Sequence, residues 1–65
     1  MRFEKALEAM RDGEEVGLEL SSIDVAIFHI KDGKIQRLHQ DGEFSNTYLD
    51  SEEILSNDWY VRRVR

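Results

Sequence analysis

The sequence predicts an α+β domain in which two helices accompany a small antiparallel sheet. Three observations lead to this fold class: an amphipathic helical pattern opens the chain, Asp-Gly pairs separate apolar runs of strand length, and a short capped helix precedes a final apolar run. Helices beside an antiparallel sheet define the α+β class. We expect a single domain over residues 1–65 with an N-terminal helix, a sheet of four to five strands, and a short second helix before the last strand.

The N-terminal helix is predicted from one apolar stripe. Its apolar residues recur at helical spacing, namely Phe3, Ala6, Leu7 and Met10. This spacing puts them on one side of a helix, where they can pack against a core. Gly13 stands where many helices end, so we expect the helix to stop near Arg11 or Asp12.

Two strands are predicted before the first hairpin turn. Val16, Leu18 and Leu20 alternate with polar residues and glycine, and a period of two indicates a half-buried strand. Val25–Ile30 is a β-branched and aromatic run, which indicates the second strand. His29 lies on that strand, and we expect it to be a half-buried polar residue.

Two Asp-Gly pairs predict the turns that follow. Asp32-Gly33 lies between two apolar runs, and both residue types tolerate the positive φ that a tight hairpin requires. The return strand is predicted over Lys34–His39. Asp41-Gly42 makes the next turn, and a short edge strand is predicted within Glu43–Tyr48.

The second helix is predicted from a capping pattern. Asp50 can cap a helix start, and Glu53 three residues later completes a box-like pattern. We expect Ile54 and Leu55 to be the buried residues of this helix, which is only a turn or two long. The last strand is predicted over Trp59–Val64, with Trp59 as a core anchor.

Composition restricts how the domain is stabilised and where it works. The chain has 40% hydrophobic and 35% charged residues, so it has the apolar content of a folded protein, and it has no cysteine for a disulfide. A domain of this length buries only about 60% of its unfolded surface, which favours self-association or a partner. No apolar run approaches the ~20 residues of a membrane span, and no signal-peptide pattern opens the sequence. We expect a cytosolic protein.

The sequence offers no arrangement typical of an enzyme. His29 and His39 lack a third ligand at metal-site spacing, and we expect His39 to be an exposed strand end. The serines lack the context of a nucleophile, and the single glycines mark turns, not a phosphate-binding loop. We therefore expect a non-enzymatic protein with no metal and no cofactor.

Charge is unevenly distributed along the chain. The net charge is −5, which argues against direct nucleic-acid binding because that depends on Lys and Arg. Residues 41–58 contain six acids and no Lys or Arg: Asp41, Glu43, Asp50, Glu52, Glu53 and Asp58. The basic residues cluster elsewhere: Lys31, Lys34 and Arg37 in the first hairpin, and Arg62, Arg63 and Arg65 at the C-terminus. This distribution predicts a dipolar molecule whose acidic side either solvates the protein or binds a basic partner.

Two segments of the chain resemble one family of small phage proteins. Phe3–Val16 is similar to the family's opening helix and strand, F-x-x-A-L-x-x-h-x-x-G, and Ser51–Val61 is similar to its closing acidic helix and L-x-x-D-W-x-V. The family is the Thoeris anti-defence, cyclic-nucleotide-sponge family with its short phage relatives, and the segments cover about two-fifths of the chain. The resemblance implies a phage counter-defence protein in the bacterial host cytosol. Sponges of the family are homo-oligomers, and one relative is an anti-CRISPR inhibitor.

The sequence departs from the family pattern after the first strand begins. Family members follow the valine with a basic pair and a Trp-containing turn, whereas Val16 is followed by Gly17–Ser22, with an acid in place of the bases. An anionic nucleotide requires cations or free N–H groups. The departure therefore favours a protein target, and our leading hypothesis is an acidic inhibitor of a bacterial immune effector such as a CRISPR–Cas complex. The partner-binding residues it predicts are Glu43, Tyr48, Asp50, Glu52, Glu53 and Asp58.

Two alternatives remain open at the level of sequence. The first is a sponge that sequesters a cyclic nucleotide at a subunit interface of a homo-oligomer. Its predicted ligand-binding residues are Lys34, Arg37, Tyr60, Arg62 and Arg63, with Tyr60 or Trp59 stacking on the base. The second is a small phage protein with a structural or regulatory role. Neither hypothesis involves a membrane.

Overall fold

The computed structural model describes residues 1–62 and confirms the predicted α+β fold. The elements in chain order are α1 Phe3–Arg11, β1 Glu15–Glu19, β2 Val25–Lys31, β3 Lys34–Leu38, β4 Phe44–Asn46, α2 Ser51–Leu55 and β5 Trp59–Arg62. The predicted ligand-binding residue Arg63, and the end of the strand predicted over Trp59–Val64, lie outside the described residues. Neither helix of residues 1–62 has the length and apolar character required to cross a membrane.

The five strands form one antiparallel sheet in the order β4-β3-β2-β1-β5. The first four strands are neighbours in sequence and in space, and tight turns join β2 to β3 and β3 to β4. Asp32 and Gly33 both have positive φ, at 53° and 76°, as the predicted hairpin turn requires. The chain then passes from one edge of the sheet to the other through residues 47–58, here called the crossover segment, which contains α2.

A small core lies between α1 and the sheet. Its fully buried side chains are Ala6, Met10, Val16, Leu18, Ala26, Phe28 and Trp59. The Trp59 ring is central to this core, with its centroid 5.3 Å from that of Phe3 and 5.5 Å from that of Phe28. Trp59 is therefore the core anchor that the sequence predicted.

The prediction that Ile54 and Leu55 are buried is wrong. Ile54 is 42% exposed and Leu55 is 78% exposed, and α2 has no buried residue. The helix is held by its ends: the predicted capping box forms between Asp50 and Glu53, and the indole Nε1 of Trp59 donates a hydrogen bond to the Glu53 carbonyl at 2.9 Å. Because these bonds fix the five-residue helix, its apolar side chains need not face the core.

The predicted first strand is correct for Val16 and Leu18 but not for Leu20. Leu20 lies beyond β1 and is 50% exposed, and its N–H donates to the Asp24 carbonyl at 2.9 Å in the turn to β2. The alternation is also interrupted, because Gly17 is buried together with Val16 and Leu18. The Tyr60 ring lies directly over Gly17, where a Cβ atom would stand 2.3 Å from Tyr60 Cζ.

The N-terminal residue lies along the outer edge of β5. The α-amino group of Met1 donates hydrogen bonds to the carbonyls of Asn57 at 2.8 Å and Trp59 at 2.7 Å. The N–H of Trp59 donates to the Met1 carbonyl at 3.3 Å. Edge strands expose backbone groups that other chains can pair with, so these bonds protect the start of β5.

Candidate functional site

Four of the six predicted partner-binding residues, all of them acidic, lie around one concave surface. This surface, here called the acidic cleft, has a volume of about 440 Å³. It lies between the crossover segment, the end of β1 and a side chain of β3. Its charged lining residues are Glu19, Asp50, Glu52, Glu53 and Asp58, together with Arg37. Five carboxylates beside a single guanidinium make this surface strongly acidic.

The fold explains why these acids meet. The crossover segment contains Asp50, Glu52, Glu53 and Asp58 within nine consecutive residues. Its last residues run beside β1, where the Glu19 N–H donates to the Asp58 carbonyl at 3.2 Å. Glu19 thereby joins the cleft from a distant part of the sequence.

Two of the cleft carboxylates have a structural role. Asp50 Oδ1 accepts a hydrogen bond from the Glu53 N–H at 2.8 Å, and Glu53 Oε1 accepts one from the Asp50 N–H at 3.0 Å. This reciprocal pair forms the capping box that starts α2. The carboxylates of Asp50 and Glu53 are thus partly occupied by the backbone of their own helix.

Three other carboxylates of the cleft are available to a ligand. Glu19, Glu52 and Asp58 are exposed, and none of them forms an ion pair within residues 1–62. Arg37 is half-buried and lines the cleft from β3, although the sequence assigned it to the alternative, nucleotide-binding set. Charge-assisted hydrogen bonds from a ligand's Lys or Arg are the interaction that such carboxylates favour.

The other two predicted partner-binding residues do not line the cleft. Glu43 lies in the turn between β3 and β4, where its N–H donates to Asp41 Oδ1 at 2.9 Å. Tyr48 is 97% exposed and lies on another side of the crossover segment. It borders a depression of about 510 Å³, here called the apolar groove, whose apolar lining residues are Phe3, Ile35, Tyr48, Leu49 and Ile54.

The face of the sheet opposite α1, here called the open face, has an apolar row and a polar row. The apolar row includes Gly17 under the Tyr60 ring, Ile27 on the next strand, and the pair of Leu38 and Phe44. Alternation along each strand puts these residues on one side of the sheet. The apolar row offers a surface on which a flat ligand could stack. An uncovered face is also usual for an antiparallel sheet that has helices on one side only.

The polar row of the open face is satisfied within the chain. Arg62 Nη1 donates to Glu15 Oε1 at 3.2 Å, His29 Nε2 is 2.8 Å from Gln36 Oε1, and Gln36 Nε2 donates to Asn46 Oδ1 at 3.0 Å. The His29 ring also stacks on Phe44, with centroids 3.6 Å apart and planes 11° from parallel. His29 is half-buried as predicted, and the exposed His39 is hydrogen-bonded to Ser45.

The residues predicted for nucleotide binding are not gathered into one pocket. Tyr60 and Arg62 lie on β5 at one edge of the sheet, and Arg62 is already paired with Glu15. Lys34 begins β3, so β1 and β2 separate it from β5, a distance of about 14 Å at the usual strand spacing. Arg37 pairs with Phe28, a core residue, and therefore lies on the opposite side of the sheet from Tyr60.

Comparison with known proteins adds no relative. No family model, no curated protein and no solved structure matches the chain. Within residues 1–62, no group of three or more His, Cys, Asp or Glu side chains is placed to hold a metal ion. The acidic cleft and the apolar groove are two candidate sites that the geometry of residues 1–62 presents.

Proposed function

We propose that this chain is a non-enzymatic binding protein that docks its acidic cleft on a Lys- and Arg-rich surface of a partner protein. The observation that carries the proposal is the convergence of Glu19, Glu52 and Asp58, three exposed carboxylates without an ion pair in the described part of the chain, on one concave surface. Complementary charge accelerates association and orients the partner. The docking acids come from two distant segments, so they form a site only in the folded protein.

The partner class we propose is a nucleic-acid-binding effector of bacterial immunity, such as a CRISPR–Cas complex. Surfaces that hold nucleic acid are rich in Lys and Arg, and an acidic protein can occupy them in place of the phosphates. The immune context is supported by the resemblance of Phe3–Val16 and Ser51–Val61 to phage anti-defence proteins. In this proposal the protein works in the host cytosol as a phage inhibitor.

The test is a pair of matched charge-reversal variants. Glu52→Lys/Asp58→Lys reverses two acids of the cleft, and Glu8→Lys/Asp12→Lys reverses two exposed acids on α1 and at its end. Both variants change the net charge equally. Phage are plated on bacteria with an active CRISPR–Cas system that express each variant, and circular dichroism checks that both variants fold.

The cleft variant is expected to lose protection of the phage, whereas the α1 variant is expected to retain it. Binding of purified protein to the effector should also weaken as salt is raised, because ions screen exposed charges over about 10 Å at 0.1 M. Equal protection by the two folded variants would rule out docking through the cleft. Absence of protection by the unaltered protein would reject this effector class.

A nucleotide sponge is the second candidate function, and the open face is the feature that favours it. Tyr60 and Arg62 lie on that face at one edge of the sheet, with the apolar row beside them. Lys34 lies far from that edge, and Arg37 lies on the other side of the sheet. A complete site would therefore need a second subunit. Calorimetric titration with cyclic nucleotides tests it, with Tyr60→Ala and Arg62→Gln expected to abolish binding.

A further inference from the structure

An apolar surface surrounds the side of α2 that faces away from the acidic cleft. Tyr48 is 97% exposed, Leu55 is 78% exposed and Ile54 is 42% exposed. Exposed apolar side chains are ordinary when they are scattered, but a contiguous group indicates a binding surface. Since α2 has no buried residue, its apolar side chains contribute to this surface and not to the core.

The exposed apolar residues are part of a continuous surface. The apolar groove of about 510 Å³ shares Phe3 and Ile54 with a neighbouring depression of about 250 Å³, which also includes Leu55. That depression in turn shares Ser56 with the acidic cleft. The groove alone has a volume within the range of ligand pockets, about 300–1,000 Å³.

Opposite charges lie at the two ends of this surface. Lys34 lines the apolar groove at its hairpin end, whereas Glu52 and Asp58 lie in the cleft beyond α2. The depression between them has one residue of each sign, Arg2 and Glu4. Five helical residues span only about 7.5 Å, and a helix with side chains is about 10–12 Å wide. Because α2 is so short, a partner helix that lies in the groove would extend side chains across α2 as far as the acidic cleft.

We propose that the apolar groove and the acidic cleft together bind a basic amphipathic helix of the partner protein. Its apolar side chains enter the groove between Tyr48, Phe3 and Ile54, and its Lys and Arg side chains pair with Glu52 and Asp58 across α2. Helices that dock in grooves combine apolar anchors at helical spacing with flanking charges. This inference rests on the proposed docking function and adds the partner's local structure and the apolar half of the contact.

The test uses a synthetic amphipathic peptide of Leu, Ala and Lys as the probe. Its controls are the same peptide with Glu in place of Lys, and a shuffled peptide of equal composition without an apolar face. Fluorescence anisotropy measures the affinity of each labelled peptide for the full chain. The Lys peptide is expected to bind saturably, and the two control peptides are expected to bind at least about tenfold more weakly, a change of about 1.4 kcal/mol.

Matched variants locate the contact. Tyr48→Ser and Leu55→Gln alter exposed residues of the proposed surface, and Ile23→Gln alters an apolar residue that is 90% exposed in another part of the molecule. We expect the first two variants to weaken binding of the Lys peptide about tenfold, as removal of a central apolar contact does. We expect Ile23→Gln to bind as the unaltered protein does.

The remaining outcomes separate this inference from the proposed function. If Glu52→Lys/Asp58→Lys no longer binds the Lys peptide while Tyr48→Ser and Leu55→Gln still bind it, the groove is not a binding site, but docking through the acidic cleft stands. If the groove variants lose the peptide and the cleft variant retains it, both the combined surface and docking through the cleft are wrong. No saturable binding of the Lys peptide, or equal binding of the shuffled peptide, would also overturn the inference.

Discussion

Replacing Gly17 with alanine is expected to displace the Tyr60 ring from the sheet. A Cβ atom at position 17 would stand 2.3 Å from Tyr60 Cζ, 2.5 Å from its Oη and 2.6 Å from its Cε1. Carbon atoms pack at about 3.5–4.0 Å, so the ring must move by more than an ångström. Gly17 is not among the glycines with positive φ, so its backbone accepts alanine and the collision with the ring is the principal cost.

The size of the effect follows from two opposing terms. Adding a methyl group to a packed site costs about 1–3 kcal/mol. Alanine in place of glycine inside a strand recovers about 0.5–1 kcal/mol of conformational entropy. Gly17→Ala alone should therefore destabilise the domain by about 0–2.5 kcal/mol. In a Tyr60→Ala background the collision is absent, and the same substitution should stabilise the domain by about 0.5–1 kcal/mol.

The assay is a double-mutant cycle of urea unfolding curves for the unaltered protein, the two single variants and the double variant. The coupling free energy between positions 17 and 60 should be about 1–3 kcal/mol. Tyr60→Phe is the control, because its ring keeps the carbon atoms that meet the new methyl group. A Gly17→Ala effect of the same size with Tyr60 and with Ala at position 60 would refute the placement of the ring over Gly17.

Two further predictions concern the bonds that hold α2. Asp50→Ala should destabilise the domain by about 1 kcal/mol, because it removes a helix cap. Asp50→Asn retains an acceptor and should cost only about a few tenths of a kcal/mol. Thermal unfolding compares the two variants. Trp59→Phe should cost about 1.5–3 kcal/mol, because it removes the indole hydrogen bond to the Glu53 carbonyl, which keeps only the Ser56 N–H at 3.3 Å, and because it opens a small cavity in the core. Urea unfolding followed by circular dichroism measures this loss, and faster amide exchange within α2 should accompany it.

Local signals in the sequence were sufficient for the elements of the fold. The apolar stripe of α1, the Asp32-Gly33 turn and the capping box of Asp50 and Glu53 each depend on residues within a few positions of one another. The short Asp-Gly turns also indicated that β2 pairs with β3 and β3 with β4. The position of β5 beside β1 could not be predicted from local signals, because it depends on the path of the crossover segment.

The features that the sequence did not predict correctly also depend on contacts between distant segments. Ile54 and Leu55 are the apolar residues of α2 and were therefore expected to be buried, yet the direction that α2 faces is fixed by the Trp59 indole and by the path of the chain between the two edge strands. Glu19 and Arg37 join the cleft from β1 and β3, and no spacing in the sequence relates them to the crossover segment. The acidic run indicated where charge lies, and only the fold shows which carboxylates share a surface.

The capping box changes what an acidic run can contribute to binding. Asp50 and Glu53 count fully toward the charge of the cleft, but each uses a carboxylate oxygen to hold the start of α2. Reversing either charge would therefore weaken binding in two ways, through lost attraction and through a disordered helix that no longer positions Ile54 beside the groove. Glu52 and Asp58 lie in the same cleft without such bonds, so substitutions there separate the two effects. The residues that best report docking are thus those that contribute least to folding.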